Sequence, residues 1–158
     1  MNFSQLNWKE TLKLTAFGLQ KIPLIAFTLP RVIRMDEVET RIQIPLNWRT
    51  RNHLGSMYFG ALSIGADLAG GLAAWRAIER SGKKIDLVFG SCHSTFHRRA
   101  ESAVDFVCDQ GIEISQFVQE VSQQAERQTR PVSIKALSVE SQECVAEFEL
   151  ALSLKRRQ

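Results

Sequence analysis

A long stretch of almost uncharged sequence constrains the fold of this chain more than any other feature. Between His53 and Arg76 the only charged residue is Asp67. The stretch belongs to a predicted helix, residues 55–80, which Ser81-Gly82 would end. A helix with so little charge on any side is normally buried, so other parts of the chain must surround it. We therefore predict a long helix at the centre of the domain.

The glycines of this helix indicate how closely it is surrounded. A glycine inside a helix costs roughly 1 kcal/mol relative to alanine. The interior of the predicted helix nevertheless keeps four of them, at Gly60, Gly65, Gly70 and Gly71. We therefore expect another backbone or a ligand to come very close to the helix at these positions.

Apart from the long helix, the chain from residue 36 onward alternates as strands do. Apolar and polar residues alternate strictly over residues 36–48, which predicts a half-buried strand. Four further strands are predicted over residues 86–97, 102–109, 131–141 and 144–154, with a short amphipathic helix over residues 114–125. This order predicts an α+β domain in which an antiparallel sheet curls around the long helix.

Residues 1–35 are predicted to form an additional N-terminal helical segment. Apolar residues recur at helical spacing up to Pro23, and a second apolar segment, residues 24–29, ends at Pro30. Four basic residues interrupt the apolar run from residue 12 to residue 35, so it is neither a signal peptide nor a membrane-spanning helix. Its composition is compatible with contact at a membrane surface. The recurring residues are Trp8, Leu12, Thr15, Leu19 and Ile22.

Length and charge limit the classes of function. The 158 residues suit one domain, which we expect to span residues 1–158. The net charge of +3 is small and scattered, and no aromatic-plus-basic motif accompanies it, so we do not expect nucleic-acid binding. A mildly basic balance suits an anionic small ligand, although an ordinary solvated surface would give the same charge.

The cysteines and histidines argue against a metal centre. Cys92, Cys108 and Cys144 form neither a CxxC pair nor a His-containing cluster with metal-ligand spacing, so we expect no metal site. His93 and His97 would lie roughly 13 Å apart along one strand, too far to share an ion. Unpaired cysteines favour a reducing compartment, and we expect a cytoplasmic location.

Asp67 is the candidate for catalysis. A carboxylate on a buried helix is costly unless it is hydrogen-bonded, neutralised or used chemically. Burial raises the pKa of a carboxyl group, which suits a general base near neutral pH. The N–H groups at the helix start can polarise a carbonyl oxygen. Together these groups suit attack on an acyl carbonyl, the alternative being a carboxylate with a purely structural role.

The region around the predicted helix start resembles a known family. In hot-dog-fold acyl-CoA thioesterases of the phenylacetyl-CoA type, an Asn-x-x-Gly-Thr/Ser turn leads to His-Gly-Gly and then to the catalytic acid. Asp67 lies fifteen positions after Asn52, which fits this spacing, and the resemblance covers about residues 36–154. It implies a hot-dog fold, a curved antiparallel sheet wrapped around a long central helix. The matching residues are Asn52, Gly55, Ser56, Gly60, Ala61, Asp67 and Gly70.

The resemblance implies hydrolysis of an acyl-CoA-like thioester. Apolar residues near the long helix and in the N-terminal segment suggest an apolar acyl group. Glycine-rich helix faces and long edge strands need covering, which predicts a homodimer or a dimer of dimers. Asp67 would act as general base or nucleophile, while Asn52, contributed by the partner subunit, would hold the thioester or the attacking water. Backbone N–H groups near Phe59 and Gly60 would bind the carbonyl oxygen. No metal or redox cofactor is implied, and coenzyme A enters only as part of the substrate. The other residues expected to bind substrate near the helix start are Gly55, Ser56 and Tyr58.

Two features leave alternatives open. Tyr58-Phe59 stands where the family has His-Gly, so a bulky side chain occupies the usual position of the oxyanion donor. This departure favours a second hypothesis, a non-catalytic acyl-ligand or lipid-binding hot-dog protein. Arg98 and Arg99, in the turn between two predicted strands, have the geometry to bind the phosphates of coenzyme A, although an ordinary solvated turn has the same composition.

Overall fold

Six strands form one antiparallel sheet in the computed structural model, which describes residues 6–157. The helices are α1 (Trp8–Lys21), α2 (Pro23–Phe27), α3 (Phe59–Ser81) and α4 (Gly111–Ser122). The strands are β1 (Arg31–Met35), β2 (Thr40–Ile44), β3 (Ile85–Phe96), β4 (Val104–Cys108), β5 (Gln128–Ser138) and β6 (Cys144–Arg156). The order across the sheet is β1-β2-β4-β5-β6-β3, with every neighbouring pair antiparallel. The predicted α+β hot-dog arrangement is confirmed.

Small residues allow the long helix α3 to lie close against the sheet. Ala66, Ala69 and Ala74 are completely buried. The ring of Phe106 on β4 lies over Gly65, where a Cβ atom would come within 2.2 Å of it. The predicted close approach to the helix is therefore confirmed at Gly65, but an aromatic side chain makes it rather than another backbone.

Helix α3 ends where it was predicted to end, but it begins later than predicted. The helix begins at Phe59 rather than at residue 55, because residues 52–56 form a hydrogen-bonded turn in which Gly55 has a φ of 84°. The opposite end lies where it was predicted. Gly82 follows the helix in the left-handed conformation, with a φ of 64°, which is typical of helix ends and is easiest for glycine.

The N-terminal segment contains a strand that its sequence pattern did not predict. Helices α1 and α2 confirm the helical part, but β1 pairs with β2 at the edge of the sheet. Helix α1 borders this strand, since the Asn7 N–H donates to the Val32 carbonyl and the Val32 N–H donates to Thr11 Oγ1. Residues 1–5 of the predicted segment lie outside the described residues. Within residues 6–157, no helix has both the length and the apolarity needed to cross a membrane.

The later elements follow the prediction with shifted bounds. Strand β2 is shorter than the predicted strand over residues 36–48, because the Asp36 carboxylate accepts hydrogen bonds from the N–H groups of Val38 and Glu39 and holds a turn there. Strands β3 to β6 and helix α4 lie within a few residues of their predicted positions. The buried interior lies between the sheet and α3, with α4 contributing Phe117 and Val121.

Candidate functional site

Asp67 lies on α3 at the wall of the larger cavity, which has a volume of about 820 Å³. Helices α1 and α2 form the opposite wall, and the start of β3 closes one side. Much of the lining is apolar and includes Leu14, Phe17, Ile25 and Trp75. The rings of Phe17 and Trp75 meet edge to face, with centroids 5.4 Å apart. The cavity therefore offers an apolar volume, and the helices around it carry three carboxylates of its lining, Glu10, Asp67 and Glu79.

The carboxylate of Asp67 has no hydrogen-bond or ion-pair partner among residues 6–157. Its side chain remains accessible to solvent in the single chain. The surrounding protein nevertheless displaces enough water to raise the pKa of Asp67, as predicted, with desolvation as the cause. Nearby on β3, burial and then the charge of Asp67 raise the pKa of the Cys92 thiol. Asp67 is thus accessible, poorly solvated and free to accept a proton.

The turn before α3 holds Asn52 in a defined position. The Asn52 side-chain amide donates to Ser56 Oγ at 3.0 Å, and its carbonyl oxygen accepts from the Leu54 N–H at 2.9 Å. The Asn52 backbone N–H donates to the Ser56 carbonyl at 2.8 Å. These bonds explain why the Asn-x-x-Gly-Ser sequence forms a turn here instead of the first turn of a helix. Asn52 is preorganised rather than mobile.

Two backbone donors remain at the start of α3. The Tyr58 N–H donates to the Thr50 carbonyl, whereas the N–H groups of Phe59 and Gly60 have no acceptor within the described part of the chain. The Tyr58 and Phe59 rings beside them are 52% and 58% exposed. The Tyr58 ring covers Gly60, because a Cβ atom there would lie 2.5 Å from it. The helix start therefore offers free donors flanked by two exposed aromatic rings.

A second cavity of about 330 Å³ brings several predicted site residues together. Asn52, Ser56 and Phe59 line it from the helix-start side, and Arg98 and Arg99 line it from the loop after β3. Arg98 forms an ion pair with Glu143. Gly55, Tyr58 and Gly60 lie beside this group in the sequence but do not line the cavity.

Within one chain, Asp67 is separated from this group. Gly60 and Asp67 lie seven residues apart on α3, which corresponds to about 10 Å along the axis of a regular helix. Asp67 and the group at the helix start therefore line different cavities of the single chain. The assignment of Asn52 to a site shared with a partner subunit stays a prediction.

Folding also brings together three side chains of metal-ligand type that the sequence spacing did not indicate. The ligand atoms of His97, Cys144 and Glu147 all lie within 4.8 Å of one another. Pairing between β3 and β6 brings these residues together, and no local sequence motif predicts the cluster. His97 Nε2 and a Glu147 carboxylate oxygen lie 3.0 Å apart, so these two side chains already satisfy each other.

The comparisons with known proteins agree with the fold. A family model described as a domain of unknown function, DUF4442, matches residues 11–153. The chain belongs to the DUF4442 family. No curated protein matches this DUF4442 chain in sequence.

Several solved structures share the fold of this DUF4442 chain. A Pseudomonas aeruginosa protein named as a probable thioesterase is 22% identical, with a TM-score of 0.78 over 93% of this chain and 96% of that one. A mutant thioesterase from the same organism is 16% identical, with a TM-score of 0.71 over 98% and 100%. A thioesterase from Haemophilus influenzae is 14% identical, with a TM-score of 0.64 over 89% and 88%. The resemblance to the thioesterase superfamily is confirmed at the level of the fold.

Proposed function

We propose that this DUF4442 chain hydrolyses thioesters that carry an apolar acyl group. The observation that carries the proposal is the unpaired carboxylate of Asp67 at the wall of an apolar cavity. A carboxylate that is accessible but poorly solvated can take a proton from water at higher pH than an ordinary carboxyl group. The fold shared with proteins named as thioesterases supports the same chemistry.

In the proposed step, Asp67 takes a proton from a water molecule whose oxygen attacks the thioester carbonyl carbon. The carbonyl oxygen becomes negative and accepts hydrogen bonds from the free N–H groups of Phe59 and Gly60. When the carbon–sulfur bond breaks, the thiolate receives the proton held by Asp67, and the products are a carboxylic acid and a thiol. Direct attack by Asp67, followed by hydrolysis of the resulting anhydride, gives the same products. Neither route uses a metal or redox cofactor.

We assign the two halves of the site to two copies of the chain. Within one copy, Asp67 and Asn52 line different cavities, which supports this assignment. Strand β3 provides a place for the second copy, because this 12-residue edge strand pairs only with β6 in the described chain and is largely exposed. Long exposed edge strands favour pairing with another strand. A homodimer, alone or within a dimer of dimers, would bring Asp67 of one copy towards Asn52 of the other.

The two cavities suggest how the substrate divides. The apolar acyl group would occupy the larger cavity beside Phe17 and Trp75. The carrier, which we propose is coenzyme A, would extend to the smaller cavity, where Arg98 and Arg99 can bind phosphate. We also propose a cytoplasmic location, since Cys92, Cys108 and Cys144 are all free thiols.

The direct test is an assay of the purified protein against acyl-CoAs of increasing chain length, beside Asp67→Asn. Thiol release by the natural protein and its loss in Asp67→Asn are expected, because the amide cannot accept the proton. Asp105→Asn is the matched control, since Asp105 is also a poorly solvated carboxyl but lies away from the cavities. Equal hydrolysis by natural protein and Asp67→Asn would exclude the catalytic role.

A mixing experiment tests the shared site. Asp67→Asn and Asn52→Ala are each expected to be inactive as homodimers. If the subunits exchange at random, half of the dimers are mixed and each has one intact site, so about a quarter of the natural activity returns. No recovery, with subunit exchange confirmed by mass spectrometry, would contradict the arrangement. Size-exclusion chromatography with light scattering gives the oligomeric state.

The alternative function is binding of an acyl ligand or lipid without turnover. The exposed Tyr58 and Phe59 rings favour it, because they flank the donors that a carbonyl oxygen would need to reach. Saturable binding of a fatty acyl probe without thiol release from any acyl-CoA would select this function. In that case Asp67→Asn would leave the absence of turnover unchanged.

A further inference from the structure

The most regular apolar stripe of α1 faces away from the protein. Trp8, Leu12 and Leu19 recur at helical spacing and are 58%, 66% and 67% exposed. The buried residues of the helix, Leu14 and Gly18, lie on a different face. An apolar stripe on a surface helix normally packs against the core. This stripe therefore lacks the partner that its pattern predicts.

The exposed apolar surface continues beyond α1. Helix α2 packs alongside, because a Cβ atom on Gly18 would lie 2.9 Å from the Ala26 nitrogen. The rings of Phe27 on α2 and Trp48 in the loop after β2 meet with centroids 5.9 Å apart. We call this surface the outer patch. It consists of the exposed residues Trp8, Leu12, Leu19, Ile22, Leu24, Phe27, Leu29 and Trp48.

The positive charge of the chain is concentrated in the segment that carries most of the outer patch. Residues 6–31 contain four basic residues and one acidic residue, a balance of +3 that equals the net charge of the whole chain. The remaining residues are therefore neutral overall. The acidic residue, Glu10, pairs with Lys13, whereas Lys9, Lys21 and Arg31 have no carboxylate partner among residues 6–157.

Arg49 adds a cation within the outer patch itself. Its guanidinium carbon lies 5.0 Å from the Trp48 ring centroid and 5.6 Å from that of Phe27. Its Nε is buried without a hydrogen-bond partner in the described part of the chain. A cation held between exposed aromatic rings, without a carboxylate partner, is well placed to meet an anionic group.

We propose that the outer patch docks on an anionic lipid surface. Apolar and aromatic side chains surrounded by basic residues are the pattern of helices that lie in the membrane interface, where tryptophan is favoured. A symmetric contact with a second copy would bring the same basic residues face to face, which opposes dimerisation through this surface. The occupant that matches both the apolar and the positive character is a bilayer with acidic headgroups.

The outer patch also lies next to the larger cavity. Leu14, Phe17 and Ile25 of α1 and α2 line that cavity, and Ile22 belongs to both surfaces. The layer formed by α1 and α2 would thus separate the bilayer from the apolar cavity. Docking itself does not depend on thioester hydrolysis, and vesicle flotation measures binding alone.

The test is flotation of the full chain with vesicles of phosphatidylcholine, alone or mixed with phosphatidylglycerol, at low and high salt. Binding is expected only with phosphatidylglycerol and should weaken as salt screens the charges. The double variant Lys9→Glu with Lys21→Glu should bind at least about 25-fold more weakly, from about fivefold for each charge removed. A second double variant, Trp8→Ser with Trp48→Ser, should lose binding without losing the circular-dichroism spectrum of the fold.

Ile112→Ser is the matched control, because Ile112 is 52% exposed on α4 outside the outer patch, and its binding should be unchanged. Absence of binding to anionic vesicles, or equal binding to both vesicle types, would overturn the proposal. A change in oligomeric state caused by Trp8→Ser with Trp48→Ser, without vesicle binding by the natural protein, would identify a second copy as the occupant and overturn it as well.

Discussion

Asp67 and Asp105 are two carboxyl groups whose pKa values are both raised by desolvation, yet their surroundings differ. Asp105 on β4 is only 8% exposed, accepts a hydrogen bond from the Gln43 side chain at 2.9 Å and lies 3.8 Å from the Arg41 guanidinium. Asp67 faces a cavity without a partner in the described chain. A raised pKa alone therefore does not identify a catalytic base. The free lone pairs and the adjoining apolar volume distinguish Asp67.

The largest expected effect is a loss of activity on substitution of Asp67 but not of Asp105. Asp67→Asn should lower kcat by at least about 100-fold, the usual contribution of a general base. Asp105→Asn should stay within a few-fold of the natural protein, because its carboxylate faces no cavity. Steady-state hydrolysis of the best acyl-CoA measures both, and comparable losses in the two variants would remove the distinction.

The pH dependence should follow Asp67 alone. A general base acts as carboxylate, so kcat/KM should fall as the pH drops through the raised pKa of Asp67. The midpoint of this acidic limb should lie above 3.8, the ordinary value for an aspartate. Asp105→Asn should leave the midpoint in place. A midpoint at or below 3.8, or one that shifts with Asp105→Asn, would assign the limb to another group.

Substitution of Asp105 should lower the free energy of unfolding more than substitution of Asp67, the reverse of their expected effects on activity. Both groups have folded-state pKa values above their unfolded values, so ionisation lowers the stability of the fold as the pH rises through those pKa values. Asp67→Asn removes this cost without breaking a bond and should keep or raise the free energy of unfolding at pH 7. Asp105→Ala leaves the Gln43 amide without its partner and should lower it by about 1–3 kcal/mol. Urea unfolding at pH 7 measures both, and a larger loss for Asp67→Asn would contradict the assignment.

The smallest expected effect comes from giving Asp67 a neighbouring cation, as Asp105 has in Arg41. Ser63 precedes Asp67 by four residues on the same helix, so Ser63→Lys places a cation within reach. A pair of this kind contributes about 0.2–0.5 kcal/mol, which should lower the pKa of Asp67 and the midpoint of the acidic limb by roughly 0.1–0.4 unit. Ser63→Gln, a long neutral side chain, is the control and should not shift the midpoint.

The sequence indicated the central helix, the later strands and Asp67 because local patterns carry that information. Lack of charge predicted a surrounded helix, and alternation predicted strands. The strand β1 was missed because its five residues follow an apolar helical segment, and only pairing with β2 makes them extended. Helical spacing in α1 predicted a helix but not which face is buried, since that depends on what the tertiary structure places against it.

The site shows the same division between local and distant information. The turn at Asn52 and the spacing to Asp67 were readable from the sequence. The separation of these residues into two cavities was not, because it depends on α1 and α2 covering Asp67 and on the loop after β3 reaching the helix start. The cluster of His97, Cys144 and Glu147 depends on strand register, which no spacing in the sequence defines.

Ile22 belongs to both surfaces of the layer formed by α1 and α2, the outer patch and the larger cavity. It is 44% exposed on the outer patch and also lines the larger cavity. A ligand that shifts this side chain from one surface changes the shape of the other, so occupancy of the cavity and affinity for a bilayer become linked quantities. By thermodynamic reciprocity, whatever factor an acyl ligand adds to lipid affinity, the lipid adds to acyl affinity. The affinity of the domain for the bilayer would then depend, through one isoleucine side chain, on whether an acyl ligand occupies the cavity.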